Sequence, residues 1–344
     1  LGIKREFAII KMLQEILPPP SDRVALGIGD DAAVLETPSG NEVFSTDVLV
    51  EDVHFKKSAH PPFLLGIKAV SAGVSDIRAM GGIPSYGLLT LALPGQVEDN
   101  YLEKLGQGIA WGCRHYGLQV IGGDTTGSPG PIFINLMVWG YGQDIITRSE
   151  TVVGDLIWVT GTLGDARAGL DWIQGAETQE ISSVERLFRE EKPDHFLAPE
   201  PARLALKHFS PVIDPELGSL LAGAVNAMVD ISDGLSDDLG HICQQSRAGA
   251  LIYRDRIPIS PELKRWAKHS GEDPQEIALK GGEDYELLFC AAPAKEQEIR
   301  KILDGRGVRG TIIGEIKPRD YGRKIARGTE IEELKPGGWD HFAR

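Results

Sequence analysis

Acidic residues stand directly after apolar runs at several places in this chain, and that arrangement restricts its folding more than any other feature. Small groups of glycine beside an acid recur at 29–31, 122–124, 233–234 and 281–284, with no periodic repeat linking them. Gly122-Gly123-Asp124 follows the apolar run Leu118–Ile121, and Asp230-Ile231-Ser232-Asp233-Gly234 follows Ala227–Val229. Such runs read as strands, so the acids mark strand-to-loop exits. A carboxylate at the end of a buried strand has to be hydrogen-bonded, paired or neutralised, because an isolated charge in a core is heavily disfavoured. Glycine beside it removes the side chain that would obstruct a ligand.

Each group also has a plainer reading. Gly27-Ile28-Gly29-Asp30-Asp31 suits a turn, and Ser45-Thr46-Asp47 closes the next apolar run. Ser232 or Asp233 suits a helix N-cap, which leaves Asp230 unexplained. Asp76 lies in Val74-Ser75-Asp76-Ile77 on an otherwise small and apolar helix, where Arg78 is an available partner.

Along the chain, the spacing predicts a helix over 5–17 that Pro18, Pro19 and Pro20 end. Lys4, Arg5, Glu6, Lys11 and Glu15 make it amphipathic and unlike a secretory signal. Hairpin-like alternation follows at 24–29 and 43–48, with a turn at Pro38-Ser39-Gly40-Asn41 between 33–36 and the second of these runs. From Pro61 to Met80 the period becomes helical, with Leu64, Ile67, Val70, Val74 and Ile77 on one face. Strands are expected at 85–92, 118–121 and 132–141, and a helix at 98–116. The polar stretch 142–155 places a domain boundary near 145, giving units 1–145 and 146–344. In the second unit, helices are expected at 164–174, 200–208, 216–226 and 234–246, strands at 156–160, 227–231, 285–290 and 311–316, and a mobile helical insertion at 176–196. With 344 residues, 42% of them hydrophobic and 25% charged, two cores are affordable, and the mixture reads as α/β (α+β type).

Composition removes several function classes. A net charge of -14 repels nucleic acid and anionic lipid, and no Lys/Arg run with interleaved aromatics offsets it. No apolar run is long enough to span a bilayer, so neither nucleic acid nor membrane is an expected partner. Cys113, Cys243 and Cys290 are odd in number and form no Cys-x-x-Cys pair, against a disulfide framework or zinc site. A cytoplasmic location is expected.

If acids from separate loops converge, two carboxylates about 4 Å apart repel by roughly 4 kcal/mol at an effective dielectric near 20. Cations make such a cluster tolerable, and a set of Asp, Ser and Thr oxygens suits magnesium bridging substrate phosphates. That chemistry is phosphoryl transfer. The common phosphate-binding loop and the protein-kinase catalytic loop are absent, the third glycine of a dinucleotide fingerprint is missing at 27–31, and the acids at 230–234 fail the EF-hand spacing.

The motifs GIGDDAA at 27–33, STDVLVEDVHF at 45–55, VSDIRAMGGIP at 74–84, GGDTTGS at 122–128, DISDGLSDDL at 230–239 and GGEDYELLF at 281–289, with Gly337-Gly338-Trp339-Asp340-His341-Phe342 at the end, together resemble the thiamine-monophosphate kinase family in order along the whole chain. The resemblance implies a two-domain aminoimidazole ribonucleotide synthetase-like fold, with N-terminal domains pairing into a β-barrel across a homodimer. It implies ATP-dependent phosphorylation of thiamine monophosphate. It further implies several Mg2+ ions on Asp30, Ser45, Thr46, Asp47, Asp76, Asp124 and Asp230, with Asp233 serving another. ATP contacts fall on Gly123, Asp124, Arg148 and Ser232, and contacts to thiamine monophosphate on His54, Glu283 and Trp339. Arg148 could instead be a linker surface residue, His54 an exposed loop histidine, and Trp339 a residue packing the last turn. Because the acceptor is already a phosphate oxyanion, no general base is expected, and direct in-line transfer needs no phosphorylated side chain. Rival readings are another ATP-using enzyme of the superfamily, aminoimidazole ribonucleotide synthetase-like or selenophosphate synthetase-like, and a partner-dependent maturation protein. The selenophosphate reading needs a reactive residue near the start, where the first cysteine is Cys113.

Overall fold

The computed structural model describes residues 24–26, 30–37, 40–189 and 200–339. The helix expected over 5–17, Gly27 and Gly29, Pro38 and Ser39 of the 38–41 turn, the later part of the 176–196 insertion and the chain end from Asp340 lie outside the described residues.

Two sheets organise the molecule. The first contains β1 (Val24–Leu26), β2 (Ala33–Thr37), β3 (Gly40–Val50), β4 (Ile83–Leu93), β5 (Gln119–Gly127) and β6 (Phe133–Gly142), in the order β1-β2-β3-β6-β4-β5. β2 and β3 form the expected hairpin, pairing Ala33 with Phe44 and Thr37 with Gly40. β4 and β5 are parallel and joined through a crossover helix, α2 (Asp99–Tyr116), while their other neighbours are antiparallel. α1 (Pro62–Ala79) links β3 to β4 and packs with α2 on one face of the sheet. The helical period singled out one apolar stripe, but α1 is buried nearly all round, because the second half of the chain covers its remaining side. α1 and α2 cross closely at Gly108, where a Cβ would run into the carbonyl of Phe63.

The second sheet runs β13-β12-β9-β11-β7-β10-β8, from β7 (Leu156–Thr160), β8 (Ala227–Asp230), β9 (Gly249–Tyr253), β10 (Leu287–Ala291), β11 (Gly310–Lys317), β12 (Arg323–Arg327) and β13 (Glu330–Glu333). Around it lie α3 (Asp165–Gly175), α4 (Thr178–Arg189), α5 (Glu200–Phe209), α6 (Leu217–Leu221), α7 (Leu235–Gln245), α8 (Pro261–Ser270), α9 (Pro274–Lys280) and α10 (Glu296–Gly305). Ile157, Val229 and Leu288 pack with Leu235 and Leu239 on one face. Trp158, Met228 and Phe289 pack with Leu221, Ile299 and Leu303 on the other. The helix expected over 216–226 is shortened to α6, with Gly223 at positive φ just beyond it. In the 176–196 insertion, Ile181 and Val184 of α4 are buried against Phe63 and Leu64 of α1. No described helix is long and apolar enough to cross a membrane.

Candidate active site

A cleft of about 1490 Å³ lies where the two sheets and their helices meet. Behind Asp76, which lines the cleft, the end of β8 meets the last turns of α1. Asp230 terminates β8 and is 1% exposed, and Ser75 Oγ of α1 donates to its Oδ2 at 2.6 Å. One residue along, Asp76 accepts a short hydrogen bond from Ser45 Oγ of β3. Ser45 and Asp47 share one face of β3, as the two-residue strand period requires. Ligand oxygens of Asp31, Asp76 and Asp230 all lie within 4.8 Å of one another.

Three carboxyls of this region, Asp31, Asp47 and Asp76, hold protons more tightly than in water. Burial raises Asp76 well above the usual range, and Asp47, Asp230 and Asp31 raise it further. Asp47 is pushed up to about 6, by burial and then by Asp230. Burial lifts Asp31 to about 7 against the opposing pull of Arg148. The Arg148 guanidinium pairs with Asp31 and places Nε 3.6 Å from Asp30 Oδ1, while its backbone N–H donates to Asp30 Oδ2 at 3.2 Å. Arg148 is thus built into the acidic wall and is not a linker surface residue. Arg78 turns to the carbonyl of Tyr285, and among the described residues no ion pair joins it to Asp76.

A second acid group forms at the start of α7, where ligand atoms of Asp233, Asp238 and His241 lie within 4.8 Å of one another. The N-cap is Gly234, and no side chain caps the helix from that position. Instead Asp238 Oδ2 reaches back to accept the N–H groups of Asp233 and Gly234, at 3.2 and 3.0 Å. The cap reading for Ser232 or Asp233 therefore fails. Burial, with Asp233 and Asp230 adding, raises Asp238 well above the usual range. Burial, with Arg148 adding, depresses His241 to about 4. Both oxygen-rich groups suit a hard divalent cation, since each gathers acids whose charge the protein alone leaves poorly compensated.

The remaining expected residues divide. Ser232, His54, Glu283 and Trp339 line the cleft. His54 Nδ1 accepts from the Val50 N–H at 3.0 Å, and the Trp339 N–H donates to the Asp233 carbonyl at 3.0 Å, holding the chain's last described segment at the cleft mouth. Thr46 lies on the opposite face of β3 from Ser45 and Asp47, and its hydroxyl meets the Asn135 amide at 2.9 Å. Gly123 and Asp124 sit on β5, exposed along its length at the sheet edge and outside the cleft lining of a single chain. Gly123 also has a backbone reason to be glycine: its φ is +150°, and a Cβ there would strike the carbonyl of Leu89.

Asp31, Asp238 and His241 line the cleft, and Lys68 lies behind it against Glu283; sequence reasoning did not single them out. Asp31 and Asp238 stood inside recognised motifs. Lys68 gave a signal of its own, a lysine in the middle of an apolar helix.

The chain is similar to known proteins over nearly its whole length. The family described as AIR synthase related protein, N-terminal domain, matches residues 29–141, and its C-terminal domain matches residues 152–326. Thiamine-monophosphate kinase of Aquifex aeolicus is 34% identical over 345 residues, covering 98% of both chains. That of Escherichia coli is also 34% identical, over 343 residues and 98% of both chains. A solved structure described as AaThiL complexed with AMPPCP and TMP superposes with a TM-score of 0.81 at 32% identity, covering 99% of this chain and 98% of that one.

Proposed function

The chain belongs to the thiamine-monophosphate kinase family, and on that premise we propose that it carries the γ-phosphoryl group of ATP to thiamine monophosphate by direct in-line displacement, giving thiamine diphosphate and ADP. It is a thiamine-phosphate kinase with ATP as co-substrate. The observation that carries the mechanism is the convergence of Asp31, Asp76 and Asp230 from both halves of the chain. Proton affinities raised by burial are what a cation-holding cluster shows before its cations arrive.

Asp30, Asp31, Ser45, Asp47, Asp76 and Asp230 would hold one group of magnesium ions, and Asp233 with Asp238 and His241 another. Bound magnesium supplies charge neutralisation between two phosphate groups that otherwise repel. The protein's share is positioning. Arg148 ties the Asp30–Asp31 wall to the second half of the chain, and Ser45 and Ser75 aim Asp76 and Asp230 by hydrogen bonds. Gly123, Asp124, Arg148 and Ser232 are assigned to ATP, and His54, Glu283 and Trp339 to thiamine monophosphate. No general base is required, because the acceptor oxygen carries no proton that must be removed.

Pairing of two copies through the first sheet is part of the same proposal. Val48, Tyr86, Leu88, Phe133 and Tyr141 are exposed apolar residues on its strands, more than a lone sheet face usually presents to water. Closing that face against its copy into a β-barrel would bury them and cover the β5 edge that carries Gly123 and Asp124.

Incubation with γ-labelled ATP and magnesium tests the reaction. Label is expected in thiamine diphosphate when thiamine monophosphate is present, and none on the protein when it is absent. Equal turnover with free thiamine, or label that passes from protein to product, would contradict it.

A further inference from the structure

Lys68 lies in the middle of α1 with no exposed surface, and its Nζ is 2.7 Å from Glu283 Oε1. A buried ammonium is tolerated only opposite a compensating charge. Glu283 therefore faces it as a carboxylate, and beyond this pair a chain of contacts fixes every proton. The Lys56 amide N–H donates to His60 Nδ1 at 3.4 Å, which leaves the His60 proton on Nε2. That nitrogen meets His208 Nε2 at 3.1 Å, so His208 accepts there and carries its own proton on Nδ1. His208 Nδ1 in turn lies 3.1 Å from Glu283 Oε2. Lys68 Nζ, 3.5 Å from His208 Nε2, requires the same tautomer. Burial keeps both rings neutral by lowering their proton affinity. Edge contacts to Phe55 and Phe209 hold the His60 ring in place.

The His60 Nε2–H is directed at His208, whose Nδ1 lies near Glu283 Oε2 without an aligned hydrogen bond, and the Lys68 ammonium faces Glu283 Oε1. The Glu283 backbone is pinned at φ 64° by a 2.8 Å hydrogen bond from its N–H to the Ser232 carbonyl. Its side chain is the relay's opening to solvent, 27% exposed where Lys68 and His208 are 0% and 1%. Lys68 Nζ lies against one carboxylate oxygen and His208 Nδ1 near the other, so each oxygen keeps lone-pair capacity for the cleft that Glu283 lines. We propose that Lys68, His208 and His60 are positioning residues that fix Glu283 as a pure hydrogen-bond acceptor, and that Glu283 so fixed selects a substrate offering an N–H donor, such as the amino group of an aminopyrimidine, over one offering a carbonyl in its place. The selection half rests on the thiamine-monophosphate reading above; the relay half does not.

Two measurements test the two halves. Nitrogen NMR of histidine-labelled protein is expected to show His60 protonated on Nε2 and His208 on Nδ1 at neutral pH, and the reverse tautomers would overturn the relay. Kinetics then compare thiamine monophosphate with its 4-oxo analogue. Wild type is expected to prefer the amino substrate by about a hundredfold or more in kcat/KM, the size of discrimination a site built around a polar contact achieves. Lys68→Met and His208→Leu should raise KM for thiamine monophosphate about tenfold with kcat little changed, and cut the preference to about tenfold or less, because a carboxyl that has lost a donor can take a proton and donate to the carbonyl. His208→Asn, whose amide N–H can stand in for Nδ1–H, should retain the preference. If Lys68→Met does not fold, the two His208 variants decide alone. Unchanged preference in a folded Lys68→Met or His208→Leu enzyme would overturn the selection claim. Failure of wild type to use thiamine monophosphate would overturn the proposed function and the selection claim together, while the tautomers still decide the relay.

Discussion

β10 of the second sheet is buried along its whole length, whereas β3 of the first alternates between buried and open positions. The difference follows from what covers each sheet. Around the second, one core packs on each face, so its central strands read as unbroken apolar runs such as Leu287-Leu288-Phe289-Cys290-Ala291. Over the first, α1 and α2 cover one face, and the other shows Phe44 stacked on Trp139 at 5.7 Å with Val48, Leu88 and Tyr141 open around them. The second sheet is covered on both faces and the first on one. The acid cluster sits where the two kinds of sheet abut, taking Asp76 from the first side and Asp230 from the second.

The largest expected effect comes from cutting that junction. Asp76→Asn keeps the size and removes the charge. Turnover in magnesium should fall by about a thousandfold or more, as when a group stabilising transition-state charge is lost. Melting temperature in chelator should be unchanged or slightly higher, because repulsion among buried carboxyls is relieved. A destabilised but fully active variant would show that Asp76 serves the fold and not a cation.

Next in size is a break of the open face. Leu88→Glu places a charge at the centre of the proposed pairing surface, and sedimentation should show a single chain for the variant and a dimer for wild type. Activity should drop at least about tenfold, as expected when a central interface contact is replaced by an unpaired buried charge. Ile331→Glu, on the 55% exposed edge of the second sheet, should change neither mass nor rate. Equal behaviour of the two variants would remove the distinction between the sheets.

Protonation gives an effect of a few kcal/mol. Asp47 and Asp31 hold protons up to about 6 and 7 in the folded chain, against about 3.9 when unfolded. Between those values the folded state binds more protons, so metal-free stability is greatest below about pH 4 for these groups and falls as pH rises through 6 and 7. Denaturant melts in chelator at pH 5 and pH 8 should show that loss, and magnesium should reverse it at pH 8. A metal-free protein equally stable at both values would contradict the cluster's electrostatics.

The smallest effect concerns the thiols. Cys113, Cys243 and Cys290 are free, and burial raises Cys243 to about 11, which leaves it an unreactive packing group. Replacing all three with Ala should cost about 1–3 kcal/mol of stability through small cavities, and leave turnover within about twofold. Loss of chemistry in the folded triple variant would revive a thiol role.

Much of this was legible in the chain. The 61–80 period gave α1, and the strand-exit rule found Asp76's partner Asp230, because a burial demand on a carboxylate is visible wherever an apolar run ends on one. The second-sheet elements β9, β12 and β13 went unread; β12 and β13 are mostly charged and lack the apolar run that marks the equally short β7, β8 and β10. α8 and α9 had stronger signals, Ser260 and Asp273 each before a Pro and each accepting a helix N–H. Their mostly charged surfaces hid the few buried positions. Thr46 shows a different limit. A motif places Ser45, Thr46 and Asp47 together, and the strand period turns Thr46 to the opposite face, where it still lines the cleft. The relay to Glu283 joins residues as far apart as Lys68 and His208, a pairing that only tertiary packing reveals.

The account's central claim is that acids from both halves of the chain share cations, and manganese substituted for magnesium reads this directly. With an ATP analogue and thiamine monophosphate present, electron paramagnetic resonance of wild type should show more than one bound Mn2+ per chain with coupling between neighbouring ions. Asp76→Asn and Asp230→Asn, one from each half, should each abolish that coupling. A single uncoupled ion, unchanged in both variants, would mean that the nucleotide alone holds the metal and that the junction of the two sheets is not a cation site.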